Sequence, residues 1–177
     1  CDCYENSMGI SSGLGGEMVR LSSCKFFADG AMSERTAFLS QEYADQPGWK
    51  GCMVLDEASF CKRVERAYSL GNEVAIHIIG DAALDIVLDL VHCAVTRPDQ
   101  LERMKKLPVI INKQPIFIQA PTTLNGETKL GNLNRYYHGI KSFFDAGLCV
   151  TGGTDGPLGD MDPFHGMGCA VTRQSFD

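Results

Sequence analysis

The sequence predicts an α/β fold in which short buried strands alternate with amphipathic helices and lie parallel to one another. Three observations predict it. Apolar runs of strand length, such as NEVAIHII, PVII and LCVTG, recur between segments of helical period. The runs are nearly continuous instead of alternating with polar residues, as expected of parallel strands covered on both faces. Polar side chains gather where the runs stop, Lys25, His77, Gln114 and Asp155 each lying near the end of one of them. The carboxyl ends of parallel strands are where barrels and open α/β sheets place their chemistry.

The elements follow in order. Residues 1–20, CDCYENSMGISSGLGGEMVR, carry four glycines and no sustained period, which reads as loop. VRLSSCKFFADG, 19–30, is the first strand, with Val19, Leu21, Phe26 and Phe27 as buried candidates, and 31–52 is a loop with Asp45, Pro47 and Gly48 as turn chemistry. Residues 56–70 predict a helix that Asp56 can cap and Gly71 can close, with Phe60, Val64, Ala67 and Tyr68 on its apolar face. NEVAIHIIGD is the next strand, and DAALDIVLDLVHCA, 81–94, a helix that Asp81 could cap. PVIINKQPIFI is a strand candidate interrupted by Gln114 and Pro115, NRYYHGIKSFFDA a helix over 134–146, and LCVTGGTDGP a last strand ending in turn residues.

A chain of 177 residues with 44% hydrophobic residues can bury one domain core. The net charge of −6 argues against nucleic acid, which needs clustered Lys and Arg. No apolar run approaches the roughly 18–20 residues of a membrane span. Eight cysteines without zinc-finger spacing read mostly as reduced core residues of a cytoplasmic protein.

Imidazole and carboxylate ligands offered from separate strand tips suit Zn²⁺ with one position left for water. Such a water can reach a pKa of about 7, and a neighbouring carboxylate can then move protons. Asp155 suits that second task, and Lys25 becomes a ligand only if its amine is carboxylated. Each residue also has a plain reading: His77 as a hydrogen-bonded core histidine, GTDGP as a turn, Lys25 as a surface lysine. His138 reads as surface or outer support, and His165 has no motif around it.

The combination is more specific than its parts. CKFFADGAMSERTA, EYADQPGWKG, VAIHIIGDAALDIVLD and GLCVTGGTDGPLGDMDPFHGMGCAVTR, in this order, resemble the amidohydrolase superfamily, in its YtcJ-like branch also called amidohydrolase family 3, over about residues 9–174. The resemblance implies a (β/α)8 TIM barrel of the metal-dependent hydrolase type, hydrolysing amide or related C–N bonds of a small-molecule substrate with metal-activated water. It implies one or two divalent ions, zinc by preference. His77 matches the strand-five histidine ligand, Asp155 the strand-eight aspartate that contacts metal and acts as general base, and Lys25 the lysine that bridges metals in some relatives. Asp29 and Gly30 belong to the same motif and are expected to shape the substrate site, with Gln114 as a further substrate-side candidate. Self-association is left open.

Two departures stand beside the match. The family's HxH pair is absent from the four histidines, 77, 92, 138 and 165, so 1–177 is expected to be the C-terminal part of one barrel domain, about strands four to eight, without the early strands or the β-sandwich. Half a barrel exposes unpaired edges and would be marginal alone. The family also carries an RHRIEHA-type strand after its fifth helix, whereas a helix, a loop and a strand do not fit between Gly80 and His92. Either VHCAVTRPDQ is the stub of that strand, with His92 a metal ligand, or His92 is a helical residue; the continuation TRPDQLERMKKL favours the stub. These departures support a rival reading, a non-catalytic truncated homologue acting as scaffold or regulator. The long polar stretch 117–134, with Phe117 and Leu124, is a candidate substrate-facing lid.

Overall fold

The computed structural model of the chain describes residues 10–88, 95–119, 129–137, 139–155 and 161–172. Its strands form two parallel pairs. Strand β1 (Cys24–Phe27) pairs with β2 (Val74–His77), setting Lys25 beside Ala75 and Phe27 beside His77. Strand β3 (Ile110–Lys113) pairs with β4 (Cys149–Gly152), setting Asn112 beside Thr151. Parallel partners need a crossover connection, and the helices supply it. α1 (Glu57–Ser69) lies between β1 and β2, α2 (Asp81–Val87) and α3 (Pro98–Met104) follow β2, α4 (Ile140–Asp145) precedes β4, and α5 (Pro163–Thr172) comes last.

α1 forms where the pattern predicts it. The Asp56 carboxylate accepts the Ser59 amide at 2.9 Å and caps the first turn. Phe60, Val64 and Ala67 are buried, and Phe60 meets Phe26 of β1 edge-on at 6.4 Å between ring centres. Tyr68, placed on the same stripe by its spacing, is instead 75% exposed. Both strand pairs share one core, in which Ile76, Ile78, Leu84, Met104, Ile111 and Phe143 pack together. Alternation along the strands then fixes their faces. In β3, Ile111 and Lys113 turn inward, with the Lys113 ammonium 4.6 Å from the centre of the Phe143 ring, while Ile110 and Asn112 turn outward.

Several expectations change. The first strand starts at Cys24, and Val19 and Leu21 are exposed, because residues 13–21 fold back on themselves through Gly13–Leu21 and Gly16–Val19 backbone hydrogen bonds. The third strand ends at Lys113. Pro115 has no amide to donate and a fixed φ, so the chain turns into a 3₁₀ helix over Pro115–Gln119. The helix expected over 134–146 is two pieces, a 3₁₀ helix Gly131–Tyr136 and α4. α3 was not expected; Pro98 occupies its first turn and Gln100 receives the Arg97 amide at 3.0 Å. Of the described cysteines only Cys24 and Cys169 are buried, so the core reading fails for Cys52 and Cys149, which are exposed.

The short connection after β2 leaves a visible trace. The Val95 amide donates to the Ile79 carbonyl at 3.1 Å, and Val95 makes a single antiparallel bridge to Tyr137. A residue therefore sits where a strand neighbouring β2 would lie, yet the described residues form no strand there. His92 lies outside the described residues, as do His138, Leu124 and the middle of the proposed lid. The described end of that lid is not a polar flap: Leu130 and Leu133 pack with Leu39, Tyr43 and Val95 in a second core cluster. There the buried Lys129 ammonium donates to the Met32 and Ser33 carbonyls at 3.3 and 3.1 Å.

Candidate active site

The outward face of β1 and β2 carries two of the candidates, Lys25 and His77, with Phe27, expected to be buried, between them. The Lys25 ammonium lies 5.5 Å from the centre of the Phe27 ring, and Phe27 lies 5.0 Å from the His77 ring at 38° between planes. Phe27 is a strand residue with over half its surface exposed. Its part in the site was missed in the sequence, although period-two spacing from Lys25 already put it on the lysine's face.

His77 is half-buried at the carboxyl end of β2, and its Nε2 is 3.1 Å from the Gly30 carbonyl oxygen. A carbonyl only accepts, so Nε2 carries the proton and donates it. Nδ1 is left with the lone pair that a metal ion or an acid would take. Burial pushes the His77 pKa below the ordinary imidazole value; the Gly30 hydrogen bond opposes that, the Lys25 charge reinforces it and the Asp155 charge opposes it. Lys25 and Asp155 thus act on the same imidazole although they come from different strand pairs.

Asp155 follows β4, is exposed, and has a φ of 53°. Few residues other than glycine adopt that left-handed conformation; aspartate tolerates it better than most, and such outliers cluster at functional sites. Gln114 sits just past β3, half-buried, and its carbonyl accepts the Phe117 amide at 3.1 Å, which places it at the carboxyl end of the second strand pair.

Asp29, expected to shape the substrate site, is turned into the protein interior. Its carboxylate is fully buried and accepts three backbone amides: Ile79 at 2.9 Å on Oδ1, and Phe38 at 2.9 Å and Gly80 at 2.7 Å on Oδ2. Burial pushes its pKa up to about 6 against the pull of those amides. Gly30, next to it, is pinned: a Cβ there would lie 2.0 Å from Thr36 Oγ1. Among the described residues no three His, Cys, Asp or Glu side chains converge closely enough to hold a metal ion. What the described residues offer a metal is part of a shell, a neutral imidazole with a free Nδ1 and an exposed carboxylate, which is a donor set that suits Zn²⁺.

Parallel βα units with polar groups at their carboxyl ends define an α/β protein, and the comparisons give the family. The amidohydrolase family model matches residues 5–177, and the chain belongs to that family, in its YtcJ-like branch. It is 31% identical over 180 residues to the putative amidohydrolase YtcJ of Bacillus subtilis (strain 168), covering 92% of this chain and 33% of that protein. It is 26% identical over 176 residues to the protein LONG AFTER FAR-RED 3 of Arabidopsis thaliana, covering 89% of this chain and 30% of that protein. The chain thus spans about a third of the length of these curated relatives. Crystal structures of uncharacterized metal-dependent hydrolases from Pyrococcus furiosus and Pyrococcus horikoshii OT3 superpose with TM-scores of 0.85 and 0.88, each at 31% identity. They cover 99% and 97% of this chain and 39% and 38% of theirs.

Proposed function

We propose that the chain is the C-terminal part of the TIM-barrel domain, about strands four to eight, of a metal-dependent hydrolase that cleaves C–N bonds of the amide type in a small molecule. The observation that carries this reading is the placing of His77: it ends β2 on the face that carries Lys25 and Phe27, with Nε2 3.1 Å from the Gly30 carbonyl oxygen and Nδ1 left as the ring's acceptor. Family membership and the metal-dependent hydrolases of like fold support it.

In this reading His77 offers Nδ1 to a divalent ion, zinc by preference, with Asp155 and, once carboxylated, Lys25 beside it. A bound ion of that kind would activate water and polarise the substrate carbonyl. An Asp155 carboxylate oxygen takes the proton from the attacking water and returns it to the leaving amine nitrogen. Phe27 screens one side of His77 from water, and Gln114 lies where an amide could hydrogen-bond the substrate. His92 is proposed as a further ligand on the sequence VHCAVTRPDQ.

The test is hydrolysis of a panel of N-acyl amino acids, lactams and aryl amides by the full-length protein. Activity that a chelator removes and Zn²⁺ restores supports the reading; hydrolysis indifferent to chelation overturns it. The short connection between β2 and Val95 favours a second reading, a non-catalytic homologue, and a full-length protein that folds and hydrolyses none of the panel supports that one.

A further inference from the structure

We propose that Asp29 is a positioning residue for His77, holding the imidazole in the tautomer that leaves Nδ1 free. The Asp29 carboxylate gathers backbone amides from both sides of the imidazole's surroundings. Its Oδ1 accepts the Ile79 amide, two residues beyond His77, and its Oδ2 accepts the Gly80 amide, so the chain that leaves His77 is fixed at both positions. The same Oδ2 accepts the Phe38 amide, which closes the loop that begins at Gly30. Gly30 directly follows Asp29 and presents the carbonyl that receives the His77 Nε2 proton. One buried side chain therefore ties the segment that carries the ring to the segment that carries its acceptor.

At two glycines this arrangement leaves no room for a side chain. A Cβ on Gly80 would lie 1.9 Å from the Phe38 carbonyl oxygen, and a Cβ on Gly30 would lie 2.0 Å from Thr36 Oγ1. The Ala28 amide also donates to the His77 carbonyl at 3.0 Å. The turns after β1 and β2 are thus locked together at the level of the imidazole, and Asp29 supplies three of the hydrogen bonds that lock them. Partners that fix the orientation of a ligating histidine commonly change metal affinity by about 10–100-fold when lost.

The inference rests on the reading of His77 as a metal ligand for its consequence, but its first test needs no metal. In the full-length protein stripped of metal and labelled with ¹⁵N, the His77 imidazole shifts are expected to show the Nε2–H tautomer. Asp29→Asn, which can satisfy only part of the three amides, is expected to give a mixed or Nδ1–H population. Met104→Ala, an ordinary core truncation elsewhere, is expected to lower Tm without changing the tautomer. A parent protein with Nδ1–H or mixed tautomers overturns the proposal, as does an Asp29→Asn protein with the parental tautomer. Amide hydrogen exchange in the parent covers a variant that does not fold: Phe38, Ile79 and Gly80 are expected to be protected together, and free exchange at these three overturns it. A Zn²⁺ titration then separates the two claims. The tautomer result with about 10–100-fold weaker binding in Asp29→Asn supports both, whereas the tautomer result with no Zn²⁺ binding in the parent leaves Asp29 as proposed and removes the ligand reading.

Discussion

Arg97 reaches the fully buried carboxylate of Asp81 at 2.6 Å, and the same guanidinium contacts Asp85 at 2.7 Å and Asp99 at 3.0 Å. Asp81 also receives the Ser40 amide at 2.9 Å and the Ser40 hydroxyl at 2.6 Å. The start of α2 is thereby tied to the start of α3 and to the loop after β1. A carboxylate out of contact with water needs such partners, since an uncompensated buried charge is costly.

Arg97→Ala is therefore expected to destabilise the protein by about 3 kcal/mol, because it leaves Asp81 buried with Ser40 as its remaining side-chain partner. Urea unfolding of parent and variant measures it. A loss below about 1 kcal/mol would mean that the pair behaves like an exposed one.

Gly80→Ala is expected to be worse than an ordinary loop substitution. The obstacle is the main-chain carbonyl of Phe38 and not a movable side-chain end, so the turn after β2 must shift. Gly48→Ala is the comparison: nothing lies near its Cβ, and its cost is the positive φ of 85°. Thermal unfolding should place the Gly80 variant well below the Gly48 variant, and equal midpoints would contradict the contact.

The buried Asp29 predicts a pH dependence. Its pKa is pushed up from 3.8 to about 6, so the folded protein binds this proton more tightly than the unfolded chain. The associated stability is present below about pH 4 and lost as pH rises through about 6. His77, held below its ordinary value by burial, works in the opposite sense: its contribution is lost as pH falls below the normal imidazole range. Replacing Asp29 by Asn removes the first effect. The stability of Asp29→Asn relative to the parent should therefore rise by about 2 kcal/mol between pH 4 and 6. Urea unfolding across that range checks it, and a flat difference would contradict the raised pKa.

How much of this was legible in the sequence differs by element. The strands holding Lys25 and His77, and the helix α1, follow from local period and capping, and their parallel pairing from the near-continuous apolar runs. The family was legible in the order of four short motifs. Where local rules compete, the pattern misled: Val19 and Leu21 have strand composition but lie in a turn-back that exposes them, and Pro115 ends a run that hydropathy would continue. The motif around Asp29 points to the substrate side, yet its carboxylate gathers three amides, from residues 38, 79 and 80. Only tertiary contact brings those together. The Gly30 carbonyl is a backbone atom, so no side-chain pattern could announce it.

The central claim, that His77 ligates a divalent ion, is tested most directly by elemental metal analysis of the purified full-length protein beside its His77→Ala variant. The parent is expected to hold a divalent ion, zinc by preference, and the variant to lose it or hold much less. A parent without metal, or a variant with the parent's metal content, would contradict the claim.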